Sequence, residues 1–234
     1  MQRYFAIDRK DNVFILENSD LHHICNVMRM KNGEFVEVVF EHILYKCKVN
    51  FDDGVQILYD SIIPSDENFF DITLIVPVLK EQKMDFVLQK ATELGVSRII
   101  PIITERTIVK VNDKEFKKID RWSRIVKEAS EQCKRISVPV ISNICKISDL
   151  VFSDGVKLVC STIENQKNIK NIMQSGINCD KMYIVVGPEG GLSIDEEKKL
   201  NDLGFVSISL GKRIMRVETV PIFILSILNY EFME

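Results

Sequence analysis

Two hydrophobic runs near the C-terminus constrain this chain more than any other feature: MYIVVG at 182–187 and FVSISLG at 205–211. Each has the β-branched and aromatic character of a strand, ends at a glycine turn and leads toward a helix. Strand, tight turn and helix in repeated order imply a parallel sheet, because parallel neighbours require a crossover. The two turns then set backbone amides and small residues side by side at the C-terminal ends of two strands. Open α/β sheets bind their ligands at such strand ends. The first turn is no dinucleotide fingerprint, since Gly187, Gly190 and Gly191 do not follow G-x-G-x-x-G and Pro188 stiffens the loop. No Gly-Lys-Ser/Thr follows it, which excludes a phosphate-binding Walker loop.

The alternation begins at Asp71 with DITLIVPV and continues through a KMDFVLQKATEL helix, RIIPII, a long helix, VKLVCS, a short helix, MYIVVG, a helix from Ser193, FVSIS and a final helix. This order predicts a largely parallel sheet with helices on both faces. Met84, Val87, Leu88, Ala91 and Leu94 recur at helical spacing, with Gly95 placed to stop the helix. Phe116, Ile119, Trp122, Ile125, Val126, Ala129 and Cys133 form a second stripe, with basic residues on the opposite face. Ser193 and Glu196 match a capping box, and Gly204 stands where that helix should end. The last helix, 220–232, is apolar on nearly every side. Thr219 is placed to cap it and Pro221 falls in the tolerated first turn. Such a helix is buried, either under the sheet's own cover or against a second subunit.

Residues 1–68 read differently. NVFILE, EFVEVVF, LYKCKVNF and VQILYD are short β-type runs separated by turn signals at Lys31-Asn32-Gly33 and Asp52-Asp53-Gly54. So many short strands in so few residues suggest a small barrel. A linker at Ile63-Pro64-Ser65-Asp66-Glu67 separates it from the second domain, 70–234.

Composition excludes several classes. The 234 residues are 46% hydrophobic and 28% charged, an ordinary globular balance. MQRYFAIDRK has no apolar core of signal-peptide length, and VPIFILSIL is too short to span a bilayer. A cytoplasmic protein is expected. Cys25, Cys47, Cys133, Cys145, Cys160 and Cys179 contain no C-x-x-C pair, so reduced thiols are expected, and His22, His23 and His42 have no ligand spacing, so no metal is expected. The net charge of −3 is uneven: between Arg106 and Arg135 ten Lys/Arg face five Asp/Glu, a local +5 against −8 elsewhere. A basic face on an acidic body suits contact with an RNA backbone, and it is equally what a solvated Lys-rich helix shows.

The segments GPEGG at 187–191 and LGKRIMRVET at 210–219 resemble the SPOUT superfamily of S-adenosylmethionine (SAM) methyltransferases. Within it the chain is similar to the RsmE family, which methylates N3 of a uridine in small-subunit (16S) ribosomal RNA. His22-His23 through Val27-Met28-Arg29, the run KMDFVLQKATELGVSRIIPIITER, and Glu131-Gln132 with Arg135 carry the likeness upstream, so it spans nearly the whole chain. The resemblance implies a SPOUT-type α/β domain whose sheet holds a trefoil knot, preceded by a PUA-like RNA-binding β-barrel. This copy departs from the family at Phe40-Glu41-His42, which lacks an Asp-Gly turn, and at Val220, where a small Ala is usual. It also implies a homodimer with the active site near the subunit interface.

By the same resemblance SAM contacts fall on Val186, Gly187, Gly190, Leu210, Gly211, Ile214 and Met215, with Ser161 and Thr162 as a third wall. Methylation at uracil N3 requires loss of a weakly acidic proton and a counter-charge near O2 or O4. Arg216 is the first candidate for that role, and an ion pair with Glu189 or Glu218 is its alternative. Glu189 and Glu218 are candidate bases, with direct loss of the proton to water left open. Arg3, Arg29, Lys31, Arg106, Arg124, Lys134 and Arg135 are candidate phosphate contacts, which position RNA without reading its sequence. Glu131, Gln132 and Arg135 match a family motif suited to reach the target loop. A SPOUT enzyme for another RNA base or tRNA, and a catalytically silent ribosome-assembly protein, are the alternatives.

Overall fold

The computed structural model describes residues 1–52, 54–65, 70–109, 115–174, 176 and 180–232, with the backbone alone described at 115 and 116. Asp53, Asp66, Glu67, Lys110, Cys179 and the side chain of Phe116 therefore lie outside the described residues. The chain forms two compact units: Met1–Asn68 with Glu128–Val138, and Phe69–Lys127 with Pro139–Glu234.

The first unit is a six-stranded sheet. Its strands are β1 (Arg3–Phe5), β2 (Asp8–Lys10), β3 (Val13–Ile15), β4 (Phe35–Phe40), β5 (Ile43–Asn50) and β6 (Gln56–Ile62), in the order β1-β4-β5-β6-β3-β2. Only β1 and β4 pair in parallel. Side chains alternate across each strand, so Val36 and Val38 of β4 and Tyr45, Cys47 and Val49 of β5 turn into one core with Tyr4, Phe14 and Ile57. The short strands RYF and DRK, and the helix α1 (Asn18–His22) that runs on as a π turn, were not read from the sequence. They are too brief to show a period.

Phe40 pairs with Ile43, so Glu41 and His42 alone make the β4–β5 connection. Both adopt left-handed backbone, with φ of 50° and 63°. A two-residue hairpin of this kind matches the twist of its strands and favours Asn-Gly. Here the hairpin closes on residues that bear the steric cost of a Cβ in that region.

The second unit holds a seven-stranded sheet, parallel throughout. Its elements are β7 (Asp71–Pro77), α2 (Glu81–Glu93), β8 (Arg98–Ile103), α3 (Glu115–Gln132), β9 (Val140–Ile141), β10 (Cys145–Lys146), β11 (Val156–Cys160), α4 (Ile169–Gln174), β12 (Lys181–Val186), α5 (Ile194–Asp202), β13 (Val206–Ile208) and α6 (Thr219–Phe232). The order is β10-β8-β7-β12-β11-β13, with β9 also paired to β8. Strands β7 and β12 are buried along nearly their whole length, as strands covered on both faces must be. The glycine-ended runs β12 and β13 are not neighbours, as the side-by-side reading expected. Strand β11 lies between them.

The helices follow their apolar stripes. In α2 Met84, Val87, Leu88 and Ala91 are buried, and Gly95 stops the chain at φ 89°. In α3 Trp122, Val126 and Ala129 are buried, whereas Arg121 turns back to ion-pair with Glu81 and Asp85 rather than joining a solvated basic face. Ser193 and Glu196 form the expected reciprocal cap on α5. Helix α6 starts at Thr219 itself. It buries Pro221, Ile224, Leu225 and Leu228 but leaves Phe223 38% and Tyr230 81% exposed. Within one chain the helix is therefore covered on one side only. Among the described residues no helix is long and apolar enough to cross a membrane.

The strained hairpin yields a test: replacing Glu41-His42 by Asn-Gly should stabilise the protein by about 1 kcal/mol. A rise in the urea midpoint with an unchanged slope checks this; an unchanged midpoint would show that the turn bears no strain.

Candidate active site

Register builds the site. Cys160 of β11 stands level with Val186 of β12 on one side and Ile208 of β13 on the other. Three chains thus leave the sheet at one height, at its C-terminal edge. The amide of Ser161 still donates to the Ile208 carbonyl at 2.9 Å, and the amide of Ser209 donates to Lys167 at 2.7 Å. The Ser161 hydroxyl accepts from the amides of Ile163 and Glu164 at 3.1 and 3.2 Å, folding the middle loop back on itself.

The loop after β12 is compressed. A Cβ on Gly187 would stand 3.1 Å from the backbone nitrogen of Leu192, and Gly191, at φ 72°, donates its amide to the Pro188 carbonyl at 2.9 Å. Only glycine lets the chain turn this tightly beside an open space. The Arg106 guanidinium donates to the Gly190 carbonyl at 2.7 Å, and Glu196, beyond its capping role, accepts from the amide of Glu105 at 2.7 Å. The segment after β8 thereby braces the glycine loop from outside.

Between these loops lies a cavity of about 410 Å³. Val186, Gly187 and Leu192 form one wall, Cys160, Ser161 and Thr162 the next, and Met215, Arg216 and Val217 the third. A second cavity of about 490 Å³ shares Ser161, Thr162, Ile214 and Met215 with it and extends along Leu210 and Gly211. Both lie in the size range of small-molecule sites. Eight of the nine expected cofactor contacts line one or both cavities. Gly190 does not; it braces the loop through Arg106 instead.

Charge gathers at one end of the smaller cavity. Lys83, in the first turn of α2, places Nζ 3.0 Å from Oε1 of Glu189 and 3.1 Å from Oε2 of Glu218. The first contact is an aligned hydrogen bond, the second an ion pair. The Glu189 bond, then the Glu218 contact, raise the Lys83 ammonium above its ordinary value. Burial pushes the Glu218 carboxyl up, but its own amide, Lys83 and Arg216 outweigh it, and the net shift is downward. Arg216 is exposed at the mouth, and its carbonyl accepts from the amides of Thr219 and Val220, so the start of α6 fixes its backbone. Cys160 lines the floor, where burial pushes the thiol up to about 12. Lys83 and Cys160 escaped the sequence reading. A lysine in the first turn of a helix looks like solvated surface, and nothing in VKLVCS distinguishes its cysteine from a core residue.

The expected RNA contacts divide. Arg29, Lys31, Arg106, Arg124 and Gln132 are exposed. Arg3 and Arg135 are only 6% and 5% exposed, and Glu131 8%. The Nε of Arg3 bonds Glu37 at 2.9 Å and its guanidinium also caps the Lys134 carbonyl, while Lys134 Nζ reaches Glu37 at 3.0 Å. Arg3, a buried guanidinium held by Glu37, has little face left for a phosphate, whereas Lys134 stays exposed. Among the described residues no group of three or more His, Cys, Asp or Glu is placed to hold a metal.

A parallel sheet with a cavity over its strand ends, joined to a small β-rich unit, is the architecture of RNA methyltransferases. The family profile described as RNA methyltransferase domain matches residues 66–229, and that described as RNA methyltransferase PUA domain matches 16–54. The ribosomal RNA small subunit methyltransferase E of Mesomycoplasma hyopneumoniae is 33% identical, covering 97% of this chain and 98% of its own, and that of Bacillus subtilis is 32% identical, covering 99% and 97%. The crystal structure of the same enzyme from Neisseria gonorrhoeae, bound to S-adenosyl methionine, superposes with a TM-score of 0.87 at 28% identity, over 98% of this chain and 97% of that one. The chain belongs to the ribosomal RNA small subunit methyltransferase E family.

The Arg3–Glu37–Lys134 cluster gives a pH test. Burial alone would raise Glu37, but Lys134 and Arg3 hold it below its ordinary 4.5. A carboxyl lowered in the folded state contributes stability above its unfolded value and loses it as pH falls through the folded one. Arg3→Met should cost about 1–3 kcal/mol at neutral pH and flatten the loss of stability below pH 4.5. Urea unfolding near pH 7 and near pH 4 checks this; an equal acid loss in wild type and variant would discount the pair.

Proposed function

We propose that this protein transfers a methyl group from S-adenosylmethionine to N3 of a uridine in small-subunit ribosomal RNA. The observation that carries the reading is the cavity over β11, β12 and β13, formed by the two segments through which the chain resembles its relatives. The fit to SAM rests on the joined cavities, whose combined lining mixes apolar and polar groups, while Gly187 keeps the loop tight, since a Cβ there would press on Leu192 at 3.1 Å. Val186, Gly187, Leu210, Gly211, Ile214 and Met215, with Ser161 and Thr162, hold the cofactor, and Gly190 keeps its loop in place. When bound, SAM supplies an electrophilic methyl group on a sulfonium centre.

The chain's own residues do the rest. Holding the acceptor nitrogen in line is worth several kcal/mol, about 7–11 in well-oriented intramolecular reactions. Arg216, at the cavity mouth, stabilises the charge that spreads onto O2 and O4 once the N3 proton leaves. Glu218 is lowered below the ordinary carboxylate range and is a weak proton acceptor, so the proton passes to water and the carboxylates order the site. Arg29, Lys31, Arg106 and Arg124 are exposed and suited to phosphate contacts, and Gln132 is exposed on the same helix as Arg124. The target uridine must be unstacked to reach the cavity.

The working form is a homodimer in the cytoplasm, where its ribosomal substrate resides. What supports the dimer is α6, whose Phe223 and Tyr230 stay exposed on a helix with apolar residues on every side. The extra methyls of Val220 line the cavity and narrow it relative to the usual Ala.

Two outcomes test the reading. Arg216→Ala should lower kcat at least about 100-fold with SAM binding changed little, measured as 3-methyluridine formed on small subunits from a strain lacking this gene. Wild-type turnover in the variant would remove the role. Gly187→Ala should weaken SAM binding about tenfold by calorimetry, about 1.4 kcal/mol, and unaltered affinity would place the cofactor elsewhere.

A further inference from the structure

Lys83 belongs to none of the segments that carry the cofactor or the candidate catalytic groups, yet its ammonium lines their cavity. Its position follows from the fold. Helix α2 begins just past the C-terminal end of β7, the strand beside β12, so its first turn faces the same edge of the sheet. The side chain, 32% exposed, reaches both the glycine loop at Glu189 and the start of α6 at Glu218. Three chain segments that share no backbone pairing thus meet on one nitrogen.

We infer that Lys83 is a positioning residue: its ammonium clamps the glycine loop to the segment that carries Arg216, and so sets the width of the cofactor cavity. The ammonium donates one aligned hydrogen bond to Glu189 and holds Glu218 by charge at 3.1 Å. Without Lys83, two carboxylates would face one another across the cavity end with only Arg216 to offset them, and their repulsion would push the walls apart. With it, the charges of Lys83, Arg216, Glu189 and Glu218 cancel, so the end of the site that handles an anionic base carries no excess negative charge. A methionine in place of Lys83 keeps the helical stem and its packing but removes both contacts. An arginine keeps the charge and can span both carboxylates.

The clamp stands on geometry; its effect on catalysis rests on the methyl-transfer reading. The groups around Glu218 are Lys83 from α2, Glu189 from the glycine loop and Arg216 from its own segment. Burial already opposes its ionisation, so loss of Lys83 moves its protonation to higher pH.

The experiment compares the full-length wild type, Lys83→Met and Lys83→Arg. Hydrogen exchange without ligand should quicken at 187–191 and 216–219 in Lys83→Met alone, with the rest of the second unit unchanged. SAM binding should weaken at least tenfold in that variant, its acid limb should move to higher pH, and Lys83→Arg should recover most of both. Exchange at the two loops and an acid limb both equal to wild type would overturn the clamp. Should the wild type bind no SAM, the functional reading fails, and the exchange comparison still decides for or against the clamp.

Discussion

The level ending of three parallel strands is the constraint on which the rest depends. Cys160 pairs on both sides, with Val186 and with Ile208, and a slip of one residue would exchange the two packed faces of a strand and set every side chain against the wrong neighbours. Burial of β12 along nearly its whole length fixes that register. Every loop of the site therefore starts from a set height, and the short distances above the sheet follow from it: Gly187 against Leu192, Ser161 against Ile208, Lys83 across to Glu218. A register shift in β11 would dissolve the cavity without touching any of its polar residues.

Electrostatics refine what register builds. Each unit gathers opposite charges around one central group and pairs them internally: Glu37 between Arg3 and Lys134 in the first, Lys83 between Glu189 and Glu218 in the second. The first is nearly enclosed and serves the fold. The second opens on a cavity, where the same arithmetic of paired charges prepares a surface for a ligand. Residues of one chemical type thus serve opposite ends, and enclosure tells them apart.

Much of this was legible in the sequence. Strands β7, β8, β11, β12 and β13, the stripe of α2, the Ser193–Glu196 cap and the two glycine segments were all marked by local chemistry: period, capping side chains, backbone freedom; the two-residue strands β9 and β10 were not. What escaped depended on contacts distant along the chain. No local pattern says that β11 separates β12 from β13, since strand order is a property of the whole sheet. Arg3 and Arg135 read as surface cations until the fold buried them. Lys83 carried no local sign of its role because its carboxylates lie over 100 positions away. The turn at Glu41-His42 was placed by the runs on either side of it, but its left-handed geometry was not legible, since its residues lack the Asp-Gly signal and the flanking strands impose the geometry on them.

The thiol on the cavity floor has one more consequence. Cys160 carries the one thiol among the residues lining the smaller cavity, and a thiolate there would compete with any acceptor for an alkylating group. With its ionisation pushed up to about 12 by burial, the thiol stays protonated at neutral pH. The packing that closes the floor thus keeps this thiol in its less reactive form, an effect that comes from burial alone.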